Sequence, residues 1–130
     1  MDIIDRALIV AREARERAYA PYSRFQVGAA IKARGHDTLY PGCNVENASY
    51  GATICAERGA VMAMVADIGA AELEFVLVVT DADPLAVPCA VCLQVLSQFS
   101  VPDTQVLIAN LDSVCDRYTM ADLLPHPFQF

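Results

Sequence analysis

The chain predicts an α/β fold, a three-layer α/β/α sandwich around a mixed five-stranded sheet. Three observations carry that expectation. Two segments, residues 2–19 and 55–69, have the apolar spacing of helices. Phe75–Asp81, "FVLVVTD", is a continuous apolar run of the kind a strand covered on both faces needs. Helical and extended segments alternate in the order α-β-β-α-β-α-β, which requires a mixed sheet with helices packed on its faces.

The first helix is drawn by Ile3, Ile4, Ala7, Leu8, Val10, Ala11, Ala14 and Ala18, and Pro21 stops it. "FQVGAAIKA" (Phe25–Ala33) reads as a strand. "RGHD" turns the chain into a second strand around Thr38–Val45. "CAERGAVMAMVADIG" is a buried helix closed by Gly69. After the Phe75–Asp81 strand, "PCAVCLQVLSQF" is another helix with Pro88 at its threshold. Gln105–Leu111 is a further strand, and "RYTMADLL" carries a short strand followed by a short helix. With no internal repeat, low-complexity stretch or linker, residues 1–130 are expected to form one domain.

The totals exclude several functions. At 130 residues and 55% hydrophobic, the chain can bury a sizeable core and lacks the composition of a disordered protein. No run of 18 uncharged apolar residues exists, so no membrane span is expected. "MDIIDRALIVAREARERA" is charged throughout and lacks the apolar core of a signal peptide, which makes a cytoplasmic protein the expectation. A net charge of −7 argues against a nucleic-acid partner. Arg12, Arg15 and Arg17 are interleaved with Glu13 and Glu16 and read as a solvated helix face.

Five cysteines, an odd number, do not suggest a disulfide framework. Cys89-x-x-Cys92 at a helix start can point two sulfurs at one metal, although the pair reads equally well as two small buried residues. Cys55, also at a helix start, shifts that balance. Helix N-termini stabilise thiolates through their free N–H groups and dipole. Three thiolates with one open position describe a catalytic zinc site. Glu57 lies two residues beyond Cys55, close enough to exchange protons with a water that zinc acidifies towards about pH 7. Taken alone, Glu57 is also an ordinary helix-start glutamate favoured by the dipole.

Cys-Ala-Glu followed by Pro-Cys-x-x-Cys matches the signature of zinc-dependent nucleoside and nucleobase deaminases. "APYSRFQVGAA" (Ala20–Ala30), "GCNVENASYG" (Gly42–Gly51) and "DLLPHPF" (Asp122–Phe128) resemble the cytidine deaminase family, in its short homotetrameric branch. The resemblance implies a cytidine deaminase-like fold and hydrolysis of cytidine or deoxycytidine to the uracil nucleoside and ammonia, in pyrimidine salvage. It implies one Zn²⁺ per subunit held by Cys55, Cys89 and Cys92, with Glu57 as general acid and base. Asn44 and Glu46 match the positions that hold the ribose 3′-hydroxyl, and Phe25 the aromatic lining of the pocket. The backbone of Ala56 and Cys89 would address the pyrimidine carbonyl and exocyclic nitrogen. Tyr50 and Phe128 match residues that complete a neighbouring subunit's pocket. An aromatic face suits a flat pyrimidine, and an amide with a carboxylate suits a neutral sugar.

The chain departs from the family where Pro-Cys-Gly-x-Cys-Arg-Gln is usual, reading Pro88-Cys89-Ala90-Val91-Cys92-Leu93-Gln94. Three thiolates leave the zinc site net negative, and Leu93 stands where a second arginine would offset that charge. Arg58, in "CAER", is the remaining cation and can donate to ligand sulfurs. Reduced but not abolished activity is expected, unless another group compensates. Ala90 and Val91 add bulk beside the ligands, which keeps open a modified cytosine substrate, substituted at N4 or C5 or of the blasticidin kind. A zinc-stabilised domain without catalysis is the non-enzymatic alternative, and Glu57 argues against it. Cys43 is expected near the site and Cys115 to be a buried inert thiol; His36 and His126 are not assigned to zinc.

Overall fold

Asp2 opens the first helix, α1 (Ile3–Glu16), its carboxylate accepting from the Asp5 amide at 2.8 Å. The computed structural model describes every residue, Met1–Phe130. Helix α1 ends before residue 19 because Tyr19 is drawn into a bridge with Val45: the Tyr19 amide donates to Asn44 O at 2.9 Å and its carbonyl accepts from the Glu46 amide at 2.8 Å.

Five strands follow the predicted order: β1 (Gly28–Ala33), β2 (Leu39–Cys43), β3 (Leu73–Val79), β4 (Gln105–Ala109) and β5 (Val114–Thr119). They lie side by side as β2-β1-β3-β4-β5, with β3 and β4 parallel and the other pairs antiparallel. Strand β1 starts three residues later than the sequence suggests. The Asn44 side chain takes the place of a ladder partner, accepting from the Val27 amide at 2.9 Å and donating to Phe25 O at 2.7 Å.

Helices α2 (Ala56–Ile68) and α3 (Ala90–Ser97) cover one face of the sheet, and α4 (Met120–Leu123) closes its end. On that face Ile31, Val76, Val78, Val106 and Ile108 pack with Ala60, Val61, Met64, Leu93 and Leu96. On the other face α1 sets Ala7 and Ala11 against Ala30, Phe75, Leu77, Val79, Leu107 and Ala109. Strand β3 is buried along both sides, as its unbroken apolar run requires. Each large aliphatic side chain sealed there contributes about 2 kcal/mol of transfer free energy.

Two glycines set how closely the layers approach. A Cβ on Gly28 would lie 1.9 Å from Ala11 O, and one on Gly42 would lie 2.1 Å from Ala56 O. Both positions exclude a side chain, so α1 and α2 rest almost directly on backbone. No helix is long and apolar enough to cross a membrane.

Candidate active site

Helix α2 connects β2 to β3 and α3 connects β3 to β4; these three strands run in one direction, so both helices begin at the same end of the sheet. Cys55 is the N-cap residue of α2 and Cys89 that of α3, with Cys92 in the first turn of α3. The three sulfurs lie within 4.8 Å of one another. Tetrahedral coordination with Zn–S near 2.3 Å requires sulfurs about 3.8 Å apart, so this cluster fits one zinc ion with little adjustment. No fourth donor joins the three-sulfur group.

The electrostatics suit a metal-binding thiolate. Hydrogen bonding from Cys92, with the Arg58 guanidinium beside it, draws the Cys55 thiol down to about 5. Cys92 is pushed upward, first by its hydrogen bond to Cys55 and then by burial, so the pair shares a proton until a cation displaces it. Arg58 Nη2 donates to Cys55 Sγ and to Thr53 O, each at 3.3 Å, while its buried Nε has no partner. The Cys92 amide donates to Cys89 Sγ at 3.5 Å.

Leu93 packs into the core rather than facing the sulfurs. The sulfurs are therefore served by one guanidinium and one backbone amide. Ala90 and Val91 are exposed and do not line the pocket beside the cluster, so they add no bulk where a substrate would sit.

Glu57 is 4% exposed and lies in the first turn of α2, in the wall of the cavity that also includes Cys55 and Cys89. Burial pushes its carboxyl up to about 7, opposed by its own backbone amide and reinforced by the nearby Cys55 charge. A carboxyl held near neutrality can both accept and return a proton.

A cavity of about 320 Å³ opens onto these groups. Its wall includes the predicted Phe25, Asn44, Glu46, Cys55, Ala56, Glu57 and Cys89. Sequence reasoning missed Ser23, Thr80 and Val87, which also face it. Ser23 lay within a segment already singled out, whereas Thr80 and Val87 carry no local signature. Glu46 Oε1 accepts from the Tyr22 and Ser23 amides at 2.9 and 3.1 Å, and Oε2 accepts from Ser23 Oγ. The Ser23 hydrogen bonds hold the Glu46 carboxyl below its usual range.

Tyr50 and Phe128 stand outside this cavity, 78% and 65% exposed. Phe128 is fixed at its backbone by Gln94, which accepts from its amide at 3.1 Å and donates to its carbonyl at 3.0 Å. Cys43 is half-buried on β2. Cys115, expected to be buried, is exposed: β5 is an edge strand whose outward positions meet no covering helix. His36 and His126 are exposed and are not part of the sulfur cluster.

Comparison with known proteins agrees with this geometry. Residues 1–108 match the family model described as the cytidine and deoxycytidylate deaminase zinc-binding region. A cytidine deaminase of Halalkalibacterium halodurans is 40% identical over 127 residues, covering 96% of this chain and 95% of the relative. One of Sporosarcina psychrophila is 39% identical over 125 residues, covering 96% and 90%. The crystal structure of cytidine deaminase from Burkholderia pseudomallei superposes with a TM-score of 0.86 at 38% identity, over 95% of this chain and 98% of that one. With the sulfur cluster and the five-stranded sheet on the same footing, the chain belongs to the zinc-binding cytidine and deoxycytidylate deaminase family.

Proposed function

We propose that this chain is a hydrolase that deaminates cytidine and deoxycytidine to uridine and deoxyuridine with release of ammonia, serving pyrimidine salvage. The observation that carries the reading is Glu57, a buried carboxyl held up to about 7 beside three sulfurs that have no fourth protein donor. A structural zinc site closes its fourth position and has no use for a proton-transfer group.

Cys55, Cys89 and Cys92 would hold one zinc ion per subunit, whose Lewis acidity makes water nucleophilic near neutral pH. Glu57 takes a proton as water adds to C4 of the cytosine, delivers it to N3, and passes a proton to the amine as the C4–N4 bond breaks. Phe25 offers its ring to the pyrimidine, and the backbone of Ala56 and Cys89 addresses its O2 and N4 edges. Asn44 and Glu46 receive the ribose hydroxyls. The Cys92 hydrogen bond and then Arg58 favour the ionised form of Cys55.

The lining includes two carboxylates, Glu46 and Glu57, and no lysine or arginine. That lining offers a 5′-phosphate no cationic side chain, so the nucleoside is favoured over the nucleotide. The exposed Tyr50 and Phe128 support a homotetramer in which each subunit completes a neighbour's pocket. The two core clusters share one sheet, which supports a single domain over residues 1–130. Five free cysteines suit a reducing cytoplasm, with no role for membrane or nucleic acid.

The test is ammonia release from cytidine by zinc-loaded protein, with Glu57→Gln as control. Release that disappears in the variant while zinc stays bound supports the assignment. No release by the wild-type protein would overturn it.

A further inference from the structure

We propose that Arg15, on the face of the sheet opposite the sulfur cluster, is a positioning residue for the substrate pocket. The proposal rests on the reading above, in which a pyrimidine lies against Phe25. Arg15 belongs to α1, whose other buried residues are the alanines Ala7, Ala11 and Ala14, yet it is only 9% exposed. A surface arginine of an amphipathic helix would project into water; this one is folded back against the end of the sheet.

Its guanidinium reaches two separate segments. Nε donates to Gln26 O at 3.1 Å, and Nη2 pairs with Asp81 at 3.1 Å. Gln26 is the link between Phe25 and Val27, both in the cavity wall, and Asp81 follows Thr80, also in the wall. The arginine therefore ties the approach to β1 to the exit from β3, the two stretches of chain that flank the pocket. Gly28 makes this reach feasible: a Cβ there would lie 2.8 Å from Arg15 Cβ, so only glycine leaves room for α1 to bring the arginine over the strand end.

The clamp has a definite task. Phe25 lies in a segment without ladder partners, and the preceding Arg24 adopts φ of 57°, a conformation that side-chain-bearing residues seldom hold unless their surroundings fix it. Asn44 and Glu46 fix this segment from the pocket side, and Arg15 fixes it from behind. A planar fork can serve a carbonyl and a carboxylate at once, whereas an ammonium is a single point of charge. The geometry thus calls for arginine rather than lysine.

The experiment compares Arg15→Lys and Asp81→Asn with wild type in cytidine deamination, zinc content, thermal melting and amide hydrogen exchange. In Arg15→Lys, KM should rise roughly fivefold or more with kcat within about twofold and zinc content unchanged, the pattern of lost substrate positioning. Asp81→Asn keeps the Gln26 contact and should give a smaller rise in KM; its exposed carboxylate makes it a variant that folds even if Arg15→Lys does not. Unchanged KM in the folded variants, whatever their melting temperature, would overturn the proposal and leave Arg15 a structural residue. Wild type inactive on cytidine would instead overturn the proposed function, and exchange would then decide this inference. Faster exchange confined to residues 22–28 and 80–82 supports it, and uniform acceleration across the chain refutes it.

Discussion

Replacing Gly42 by alanine should displace the cysteine cluster proposed to hold zinc without touching any of its members. The added methyl would lie 2.1 Å from Ala56 O and 2.6 Å from Ala60 N, both backbone atoms of the first turns of α2. Ordinary contact begins at 3.4 Å, so β2 and α2 must part by about 1 Å, an overpacking that costs about 1–3 kcal/mol. Ala56 sits between Cys55 and Glu57, so that displacement moves a proposed zinc ligand and the proposed proton carrier together. Metal–ligand distances tolerate only about 0.2 Å, and zinc affinity should therefore fall at least roughly tenfold. The assay is zinc competition against a chromophoric chelator, with thermal melting in parallel.

Gly59→Ala in the same helix is the control. Its methyl would lie 3.7 Å from Cys43 O, in ordinary contact, and alanine improves helix propensity by about 1 kcal/mol. That variant should melt a few degrees higher and bind zinc as wild type does. If Gly42→Ala kept wild-type zinc affinity and melting, the claim that backbone contact between β2 and α2 sets the site would be wrong.

Three further outcomes follow from the site. Metal-stripped wild type should lose stability relative to Glu57→Gln as pH rises from about 4.5 to about 7, because the raised Glu57 carboxyl favours folding only while protonated. The difference should reach about 3 kcal/mol and flatten above pH 7, measured by denaturant melts across that range; a constant difference would refute the buried protonated carboxyl. Arg58→Gln removes the donor at 3.3 Å from Cys55 Sγ and should weaken zinc binding by roughly 10–100-fold. The pH at which zinc dissociates should move upward in that variant, and an unchanged pH of release would show that backbone donors suffice. Phe128→Ala should raise KM for cytidine with zinc retained, and sedimentation should find a tetramer in wild type; a fully active monomer would remove Phe128 from the pocket.

Much of this protein is legible in its sequence. Periodicity places the four α-helices and five strands to within a few residues, because the 3.6-residue and two-residue repeats are local properties of the chain, whereas the 3-10 turn at Tyr50–Ala52 is too short to carry a repeat. The mismatches lie where distant segments supply the hydrogen bonds: the Asn44 side chain takes those of residues 25 and 27, and the Tyr19 backbone leaves α1 to bridge Val45. The exposure of Cys115 went unforeseen because which strand lies at the sheet edge depends on strand order.

The sequence by itself determined the chemistry on offer: three cysteines at two helix starts, a glutamate two residues beyond the first, and no basic patch to hold a phosphate backbone. Only the tertiary structure decided that the three sulfurs converge within 4.8 Å, that Glu57 is sealed beside them, and that Leu93, Ala90 and Val91 stay out of the pocket. It alone set Arg15 behind Phe25. Spacing along a chain fixes which side of an element a residue occupies, but the distance between elements is set by what packs between them, and here that is two glycines with no room for a methyl group.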